Sequence, residues 1–366
     1  MGRTCGRSAA RGRRRGARAA ALALAALAAP APAAAVVINA ADAGRAAGLG
    51  APFDAVGRVL LTRPGGTGVC SGSLVGRRHV LTADHCIDGA APGQARVDWH
   101  FDDGTLRFTR SVSGIDVYGP AFDSSVSETA NLIDGTDLAV LELASPVDAL
   151  DPFLISEVPP DTGEAVRLVG YGRGGVAADR LLDAAGGLDT LRRGAETVVD
   201  VFGAAPAPCP VRPVAFGACG VFGGTANILS ADFDAAGDDA GGSGITNTLI
   251  HVGSADAPIA DEGSIAPGDS GGPLLIRRGT AWAIAGVASA FSDPNYDGDP
   301  DTTVLSYGAV NYWTGVGATV PVGGASISPR AFLERYGVIY TPLPGTLPAL
   351  ALGLGALGLA ARRRRR

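Results

Sequence analysis

Ala266-Pro-Gly268-Asp269-Ser270-Gly-Gly-Pro273-Leu-Leu is the stretch on which the reading of this chain turns. It places a serine in a tight, glycine-rich turn. A serine hydroxyl is a poor nucleophile until a neutral imidazole accepts its proton. The imidazole in turn needs a carboxylate to fix its tautomer and stabilise its charged form. A tetrahedral intermediate needs two aimed backbone N–H donors, each accounting for about 2.7–4 kcal/mol when lost. A Gly-x-Ser-Gly-Gly turn can supply them, because glycine lets the backbone approach a substrate closely.

Working outward from Ser270, the partners that chemistry needs stand upstream in two blocks. One is Cys70-Ser-Gly-Ser-Leu-Val-Gly-Arg-Arg-His79-Val-Leu-Thr-Ala-Asp-His85-Cys86. The other is Asp134-Gly-Thr-Asp137-Leu-Ala-Val-Leu-Glu-Leu143. Asp134 competes with Asp137 for the carboxylate role; the apolar run begins directly after Asp137, which favours Asp137. The remaining histidines, His79, His100 and His251, read as structural.

The setting of these blocks is β-rich. Gly (54) and Pro (24) are too many for the interiors of a helical bundle. Short apolar runs bounded by Gly, Asp and Pro predict strands over Val56–Thr62, Ser73–Thr82, Leu138–Leu143, Ala165–Gly170, Pro273–Ile276 and Ala281–Ala290. Their density suits an antiparallel barrel or sandwich. A helix is predicted over Ser328–Tyr336, with Ser328 as N-cap, Pro329 at the first helical position and Gly337 after the stop. Residues 172–262 read as a loop-like insert rich in Gly, Ala and Asp.

The three blocks, in the order His, Asp, Ser, resemble those of the trypsin-like (chymotrypsin-fold) serine proteases. Thr82-Ala-Asp-His85-Cys86 is similar to the family's histidine block, Asp137-Leu-Ala-Val-Leu141 to its aspartate block, and Gly268-Asp269-Ser270-Gly-Gly-Pro273 to its serine block. The resemblance runs from about 56 to 337 and is weakest across 172–262. It implies an all-β fold of two six-stranded antiparallel barrels, about 50–150 and 160–337, with a C-terminal helix and the site between them. It implies Ser270 as nucleophile, His85 as general base and acid, and Asp137 as the orienting carboxylate. The N–H groups of Gly268 and Ser270 match the oxyanion hole. The chemistry implied is hydrolysis of peptide bonds through an acyl-enzyme, with no cofactor. The rival reading is a catalytically silent fold serving as a surface binding module.

The resemblance also bears on specificity and maturation. Ser264, six residues before Ser270, matches the base of the substrate pocket, where trypsins carry Asp. Gly286-Val-Ala-Ser289-Ala-Phe291 resembles the substrate-binding strand, with Phe291 where the family keeps Gly. Ser264, Ser289 and Phe291 are thus the expected pocket residues, and they favour a small or medium apolar side chain. Asp261 and Glu262 lie close in sequence and offer the alternative of a basic one. Asp84 replaces the family's usual Ala beside His85. The family's Ile-Val-Gly-Gly activation sequence is missing; cleavage after Ala35 would expose Val36-Val37-Ile38, with Asp269 placed in sequence to receive the new terminus.

The two ends read as addresses. Residues 1–18 hold seven Arg, and an apolar run, Ala19–Ala29, is followed by Ala-x-Ala sites ending at Ala33 or Ala35; this is the pattern of a signal peptide, 1–35. At the other end Pro342-Leu-Pro-Gly leads into an apolar stretch and Arg362–Arg366. This tail, 341–366, resembles the PEP-CTERM sorting tail of exosortase-bearing Gram-negative bacteria, though Leu343 stands where that family usually has Glu. The resemblance implies a sorting enzyme as partner and a membrane-anchored or surface location; a plain membrane anchor is the alternative. The domain between is 36–340. The formal charge is −6, and removing the twelve terminal Arg charges leaves −18 for the rest, which argues against nucleic acid as partner.

Cys5 would leave with the leader. Cys70, Cys86, Cys209 and Cys219 remain, an even number that suits an oxidising compartment and allows three connectivities. The family resemblance pairs Cys70 with Cys86, leaving Cys209 with Cys219. Asp293-Pro-Asn295-Tyr-Asp297-Gly-Asp299-Pro-Asp301 carries oxygen side chains at alternate positions and resembles the Asp-rich calcium loops of extracellular repeat proteins. Position twelve is Val304 rather than Glu, so it is not a full EF-hand loop, and an acidic surface turn is the alternative. Asp232 and Asp234 read as a second, solvated acidic spot.

Overall fold

A computed structural model describes residues 36–39, 43–119, 135–176, 188, 190–202, 227–233, 258–292, 309–322 and 324–341. The chain enters through a short strand, β1 (Val36–Ile38), and a helix, α1 (Ala43–Gly50). Six strands follow: β2 (Val56–Arg63), β3 (Gly66–Gly76), β4 (His79–Thr82), β5 (Ala95–His100), β6 (Leu106–Val117) and β7 (Ala139–Leu143). They close into a barrel in the order β2-β3-β4-β7-β6-β5. All neighbours are antiparallel.

Closure removes the sheet edges that an open β-layer would expose. Leu74, Val80, Leu81, Val97, Trp99 and Leu141 fill the interior, each 0% exposed. The helix predicted near the end forms as α2 (Pro329–Glu334), and the Ser328 hydroxyl accepts the Ala331 N–H at 3.1 Å. Phe332 and Leu333 of α2 join the first barrel's core, where the Phe332 ring lies 5.5 Å from that of Tyr118. The C-terminal segment therefore straps the N-terminal barrel shut.

The second half begins with β8 (Leu154–Ile155), β9 (Ala165–Gly170), β10 (Gly174–Val176), β11 (Arg193–Val198), β12 (Val201–Phe202) and β13 (Ile228–Asp232). It continues with β14 (Gly263–Ser264), β15 (Pro273–Arg278), β16 (Ala281–Ser292) and β17 (Val310–Gly315). Eight of these strands build a half-barrel sheet in the order β11-β9-β15-β16-β17-β13-β12, with β8 added beside β16. The fold is thus the trypsin-like two-barrel one, with eight strands rather than six in its second, half-closed part. Leu168, Leu274, Ile276, Leu229 and Trp313 form that half's core.

Residues 172–262 are not wholly a loop: β10 to β13 lie there, and β11 and β13 are working members of the sheet. Their signal is weak because buried positions are held by polar residues. Arg193 is 1% exposed, Thr197 0%, Ser230 6% and Asp232 2%. The solvated reading of Asp232 is corrected by that burial; its N–H donates to the Asp200 carboxylate at 2.9 Å. Among the described residues no helix is long and apolar enough to cross a membrane. The predicted leader, the sorting tail beyond Thr341, Asp134, Cys209, Cys219, and the calcium-loop residues Asp293, Asn295, Asp297, Asp299 and Asp301 lie outside the described residues.

β1 has a sheet of its own, parallel to β10 and antiparallel to β14. The segment is clamped further on, where the Asn39 N–H donates to the Glu262 carbonyl at 2.8 Å and Arg45 of α1 forks onto Asp261 at 2.6 and 2.5 Å. Val36 is fully buried with φ of +65°. That conformation is a genuine outlier for a β-branched residue, costing about 1–3 kcal/mol.

Candidate active site

His85 follows the end of β4 in a turn closed by the Ile87 N–H on the Asp84 carbonyl at 2.9 Å. The turn is pinned from both sides. Cys86 is disulfide-bonded to Cys70 on β3, which agrees with the expected pairing. Thr82 Oγ1 donates to the Ser71 carbonyl at 2.8 Å. Cys70, His85 and Cys86 bring ligand-type atoms within 4.8 Å of one another, but both sulfurs are consumed in the disulfide and offer no thiolate to a metal.

Asp137 arrives from the other side, two residues before β7, and is 2% exposed. Its Oδ1 accepts the backbone N–H of His85 at 3.0 Å and its Oδ2 lies 2.8 Å from His85 Nδ1. Ser289 on β16 donates its hydroxyl to the same Oδ2. Burial alone would raise this carboxyl, but the charge of His85 and the hydrogen bonds from His85 and Ser289 outweigh it and hold Asp137 below the ordinary carboxylate range. An ionised Asp137 only accepts, so the proton of neutral His85 sits on Nδ1 and the lone pair on Nε2.

Ser270 sits in a tightly bonded loop. The Asp269 N–H donates to the Ala266 carbonyl and the Gly272 N–H to the Asp269 carbonyl; the Gly271 N–H and the Ala288 N–H zip the loop onto β16. Ser71 ties the loop to the histidine side: its N–H donates to the Ser270 carbonyl at 2.8 Å and its hydroxyl to the Gly268 carbonyl at 3.0 Å. Ser71 adjoins Cys70, and Cys86 adjoins His85, so a short covalent path runs from His85 to Ser71, and the hydrogen bonds of Ser71 carry it on to the serine loop. Gly271, at φ +81°, has no room for a side chain: a Cβ there would stand 2.1 Å from Thr82 Oγ1 and 2.3 Å from the Ser71 carbonyl.

The donors in this loop alternate. Asp269, Gly271 and Gly272 spend their N–H groups on carbonyls. Among the described residues the N–H groups of Gly268 and Ser270 have no intramolecular acceptor, and Ser270 Oγ makes no hydrogen bond. Gly268 has φ of +101°, a conformation that glycine adopts without cost.

The expected pocket residues separate. Ser289 donates its hydroxyl to Asp137 and is a third donor to that carboxylate, a role that nothing in the sequence distinguished from that of a pocket residue. Ser264 is fully buried, and its hydroxyl donates to Asn311 Oδ1 at 2.7 Å. Phe291 lies directly opposite Asn311 across β16 and β17 and packs with Val37, Phe233, Ala266 and Ala309. Asn311 was missed because no motif surrounds it. Asp261 and Glu262 do not face the pocket as a basic-residue trap: Asp261 is taken by Arg45, and Glu262 accepts the Ile259 N–H at 2.9 Å. Asp84, which stands where the family usually has Ala, is buried. His79 and His100 are structural: burial lowers the pKa of both, and each ring packs at a tilt on a tyrosine, His79 with its centroid 5.1 Å from that of Tyr336 and His100 5.6 Å from that of Tyr171.

Asp269 is the other buried acid of the site. Its Oδ1 accepts the Gly172 N–H at 2.8 Å and its Oδ2 the Ala266 N–H at 2.9 Å. The Val36 N–H also reaches it, and the buried Arg193 acts on it through space. Burial outweighs these and pushes it up to about 7.

A search of solved structures returns the scabies mite inactivated protease paralogue S-I1, with 17% sequence identity, coverage of 78% of this chain and 95% of that one, and a TM-score of 0.44. No curated protein matches the chain. The family model described as Trypsin matches residues 54–185, the part that carries His85 and Asp137. The fold around the candidate site is accordingly a trypsin-like one.

Proposed function

We propose that the chain is an exported serine endopeptidase. The single observation that carries this reading is the chain of contacts from Ser289 through Asp137 to His85 Nδ1, set beside a loop whose Gly268 and Ser270 N–H groups are unspent. Ser270 Oγ attacks a peptide carbonyl while His85 Nε2 takes its proton. The oxyanion is held by the N–H groups of Gly268 and Ser270. His85 then gives the proton to the leaving amine, and water, activated by His85, releases the acyl group from Ser270. Asp137 stays ionised throughout and stabilises the imidazolium. Trypsin-like proteases need no cofactor for this chemistry, and Asp293–Asp301 would add a structural calcium only.

Maturation belongs to the same reading. Hydrolysis of the Ala35–Val36 bond by the enzyme that removes the leader would leave an ammonium on Val36, whose nitrogen already reaches Asp269. It would also release the strained φ of Val36, since that angle is defined by the carbonyl carbon of residue 35. The mature domain would then stay at the membrane or cell surface through the 341–366 tail, recognised by an exosortase-like partner. The substrate is a protein or peptide with a small or medium apolar residue before the scissile bond.

A fluorophosphonate probe, which phosphonylates an activated serine, tests the proposal with Ser270→Ala as control. Labelling of the tail-less secreted protein that disappears in the variant is the expected result. Absence of labelling in protein whose N-terminus is Val36 would favour the second reading, a silent binding fold, for which Phe291, standing where the family keeps Gly, speaks.

A further inference from the structure

The serine loop runs Pro267-Gly268-Asp269-Ser270-Gly-Gly, and glycine-rich backbone has many conformations open to it. The direction of its two unspent N–H groups is therefore set by what grips the loop. In a planar trans peptide the N–H points opposite to the carbonyl. Aiming the Gly268 N–H thus means turning the Pro267 carbonyl the other way. That carbonyl accepts the Arg173 N–H at 2.8 Å, so the segment Tyr171–Arg173, which joins β9 to β10, sets the first donor. The peptide unit carrying the Ser270 N–H is fixed through its own carbonyl, on Asp269, which accepts the Gly272 N–H at 2.8 Å.

Ser71 on β3 stands where these parts meet, and it is 0% exposed. Its hydroxyl accepts the Tyr171 N–H at 2.9 Å and donates to the Gly268 carbonyl at 3.0 Å. Its own N–H donates to the Ser270 carbonyl at 2.8 Å. The peptide units on both sides of the one that carries the Ser270 N–H are thus held by a single residue. The same hydroxyl fastens the joining segment two residues before Arg173. A hydroxyl has one proton to give and lone pairs to receive with, and here both capacities are spent on backbone of the second half. β3 also carries Cys70, bonded to Cys86 beside His85, so the general base and the oxyanion donors take their positions from one strand.

We infer that Ser71 is a positioning residue whose hydroxyl, from inside the protein, keeps the Gly268 and Ser270 N–H groups aimed at the place where the oxyanion forms. The inference rests on the peptidase reading and assigns to one side chain the loop geometry that reading needs. Without the hydroxyl, the Tyr171 N–H and the Gly268 carbonyl are left buried and unpaired. Gly268 then lets its peptides turn toward other partners, because no side chain restrains its dihedral angles. Donors stabilise an oxyanion strongly when they are aimed before the reaction begins. The loss therefore falls on the transition state and leaves binding of the substrate's ground state as it was.

The test compares the secreted wild type with Ser71→Ala and Ser71→Thr. Active sites are counted by the end point of fluorophosphonate labelling, so a partly unfolded preparation does not distort the rates. Two quantities are measured: kcat and KM on a peptide anilide, and Ki for the matching peptidyl trifluoromethyl ketone. The Ser270 oxygen adds to the carbon of that ketone, and the hemiketal oxygen takes the place of the oxyanion. For Ser71→Ala, kcat should fall by about ten- to a hundredfold, less than the loss of a whole donor, with KM within about twofold. Ki should weaken by the same factor as kcat. Ser71→Thr keeps the hydroxyl and should hold kcat and Ki within about threefold of the wild type. A Ser71→Ala protein that melts earlier but keeps kcat and Ki within about twofold overturns the inference, because the hydroxyl is then structural only. So does a loss that appears in KM alone. A wild type that neither cuts the anilide nor takes the fluorophosphonate overturns the peptidase reading, and the inference falls with it.

Discussion

Asp137 and Asp269 are buried to the same degree, each 2% exposed, and each stands one step from the chemistry. Their carboxyls behave oppositely: Asp137 is held below the ordinary range, while Asp269 is pushed up to about 7. Desolvation is the largest influence on both. The difference lies in partners. Asp137 has an imidazole 2.8 Å away that can become a cation. Asp269 has backbone N–H donors and a guanidinium acting only through space. The first-barrel side of the site is completed by folding alone, whereas under the proposed maturation the serine side would gain the Val36 ammonium beside Asp269.

Removing the charge from the completed side should have the largest effect. Asp137→Asn keeps the shape but takes away the ion that fixes His85. A fall of about 10⁴-fold in kcat is expected, with substrate binding little altered. Steady-state kinetics on a peptide anilide read it directly. If the loss were less than about tenfold, Asp137 would not be the orienting carboxylate, and the contrast with Asp269 would lose its functional meaning.

Withholding the charge from the unfinished side should come next. Secreted protein whose Ala-x-Ala site is altered so that the leader stays on should keep Val36 as an amide and Asp269 without a cation. The loop carrying Gly268 and Ser270 would then lack its anchor, and a loss of about 10²–10³-fold is expected, the size of a missing oxyanion donor. Intact-mass measurement shows whether the bond is cut, and equal activity of cut and uncut forms would break the comparison.

Ser289→Ala probes the finished side more gently. It deletes one of three donors to Asp137 and leaves His85 in place. A hydrogen bond to a charged group contributes about 1.5–3 kcal/mol, so kcat should fall by roughly ten- to a hundredfold. Asp137 should also become easier to protonate, so the acid limb of the pH–rate profile should move to higher pH.

The two regions also differ in how legible they are. The first barrel is the more legible: β2 and β7 fall on predicted apolar runs because nearly every inward position is Val, Leu, Ile or Ala, but the run read as one strand over Ser73–Thr82 is the end of β3 and then β4, split by the turn at Arg77-Arg78, and β5 and β6 carry no run that was predicted. The helix at 329–334 was legible from its Ser328 cap and Pro329. The Cys70–Cys86 disulfide and the meeting of His85 with Asp137 followed from the blocks around them. The second half hides more. β11 reads Arg-Gly-Ala-Glu-Thr-Val and β13 reads Ile-Leu-Ser-Ala-Asp, where polar residues occupy buried positions and erase the period-two signal. α1, full of Ala and Gly, has no capping signature and was not foreseen. Asn311 and the second role of Ser289 depend on cross-strand neighbours more than twenty residues away, which local pattern cannot report.

The smallest expected effect separates the two carboxyls most cleanly, because it should be present before processing and absent after it over the same pH window. With the leader attached, Asp269 has a folded pKa of about 7 against an ordinary value of 3.8. The folded state then binds the proton more tightly than the unfolded one, so stability should fall as pH rises from about 4 to about 7 and level off above. After cleavage at Val36 the new ammonium pairs with Asp269. Its own pKa is raised above the ordinary α-amino value of about 7.7–8.0, so its contribution is fully present below that value and is lost as pH rises through the folded one. Melting temperatures of the Ser270→Ala protein, which cannot cut itself, should therefore decline between pH 4 and 7 for the uncut form. For the cut form they should hold across that window and decline only in the alkaline range. Parallel curves would mean that Asp269 does not receive the terminus, and that the serine side of the site is finished in some other way.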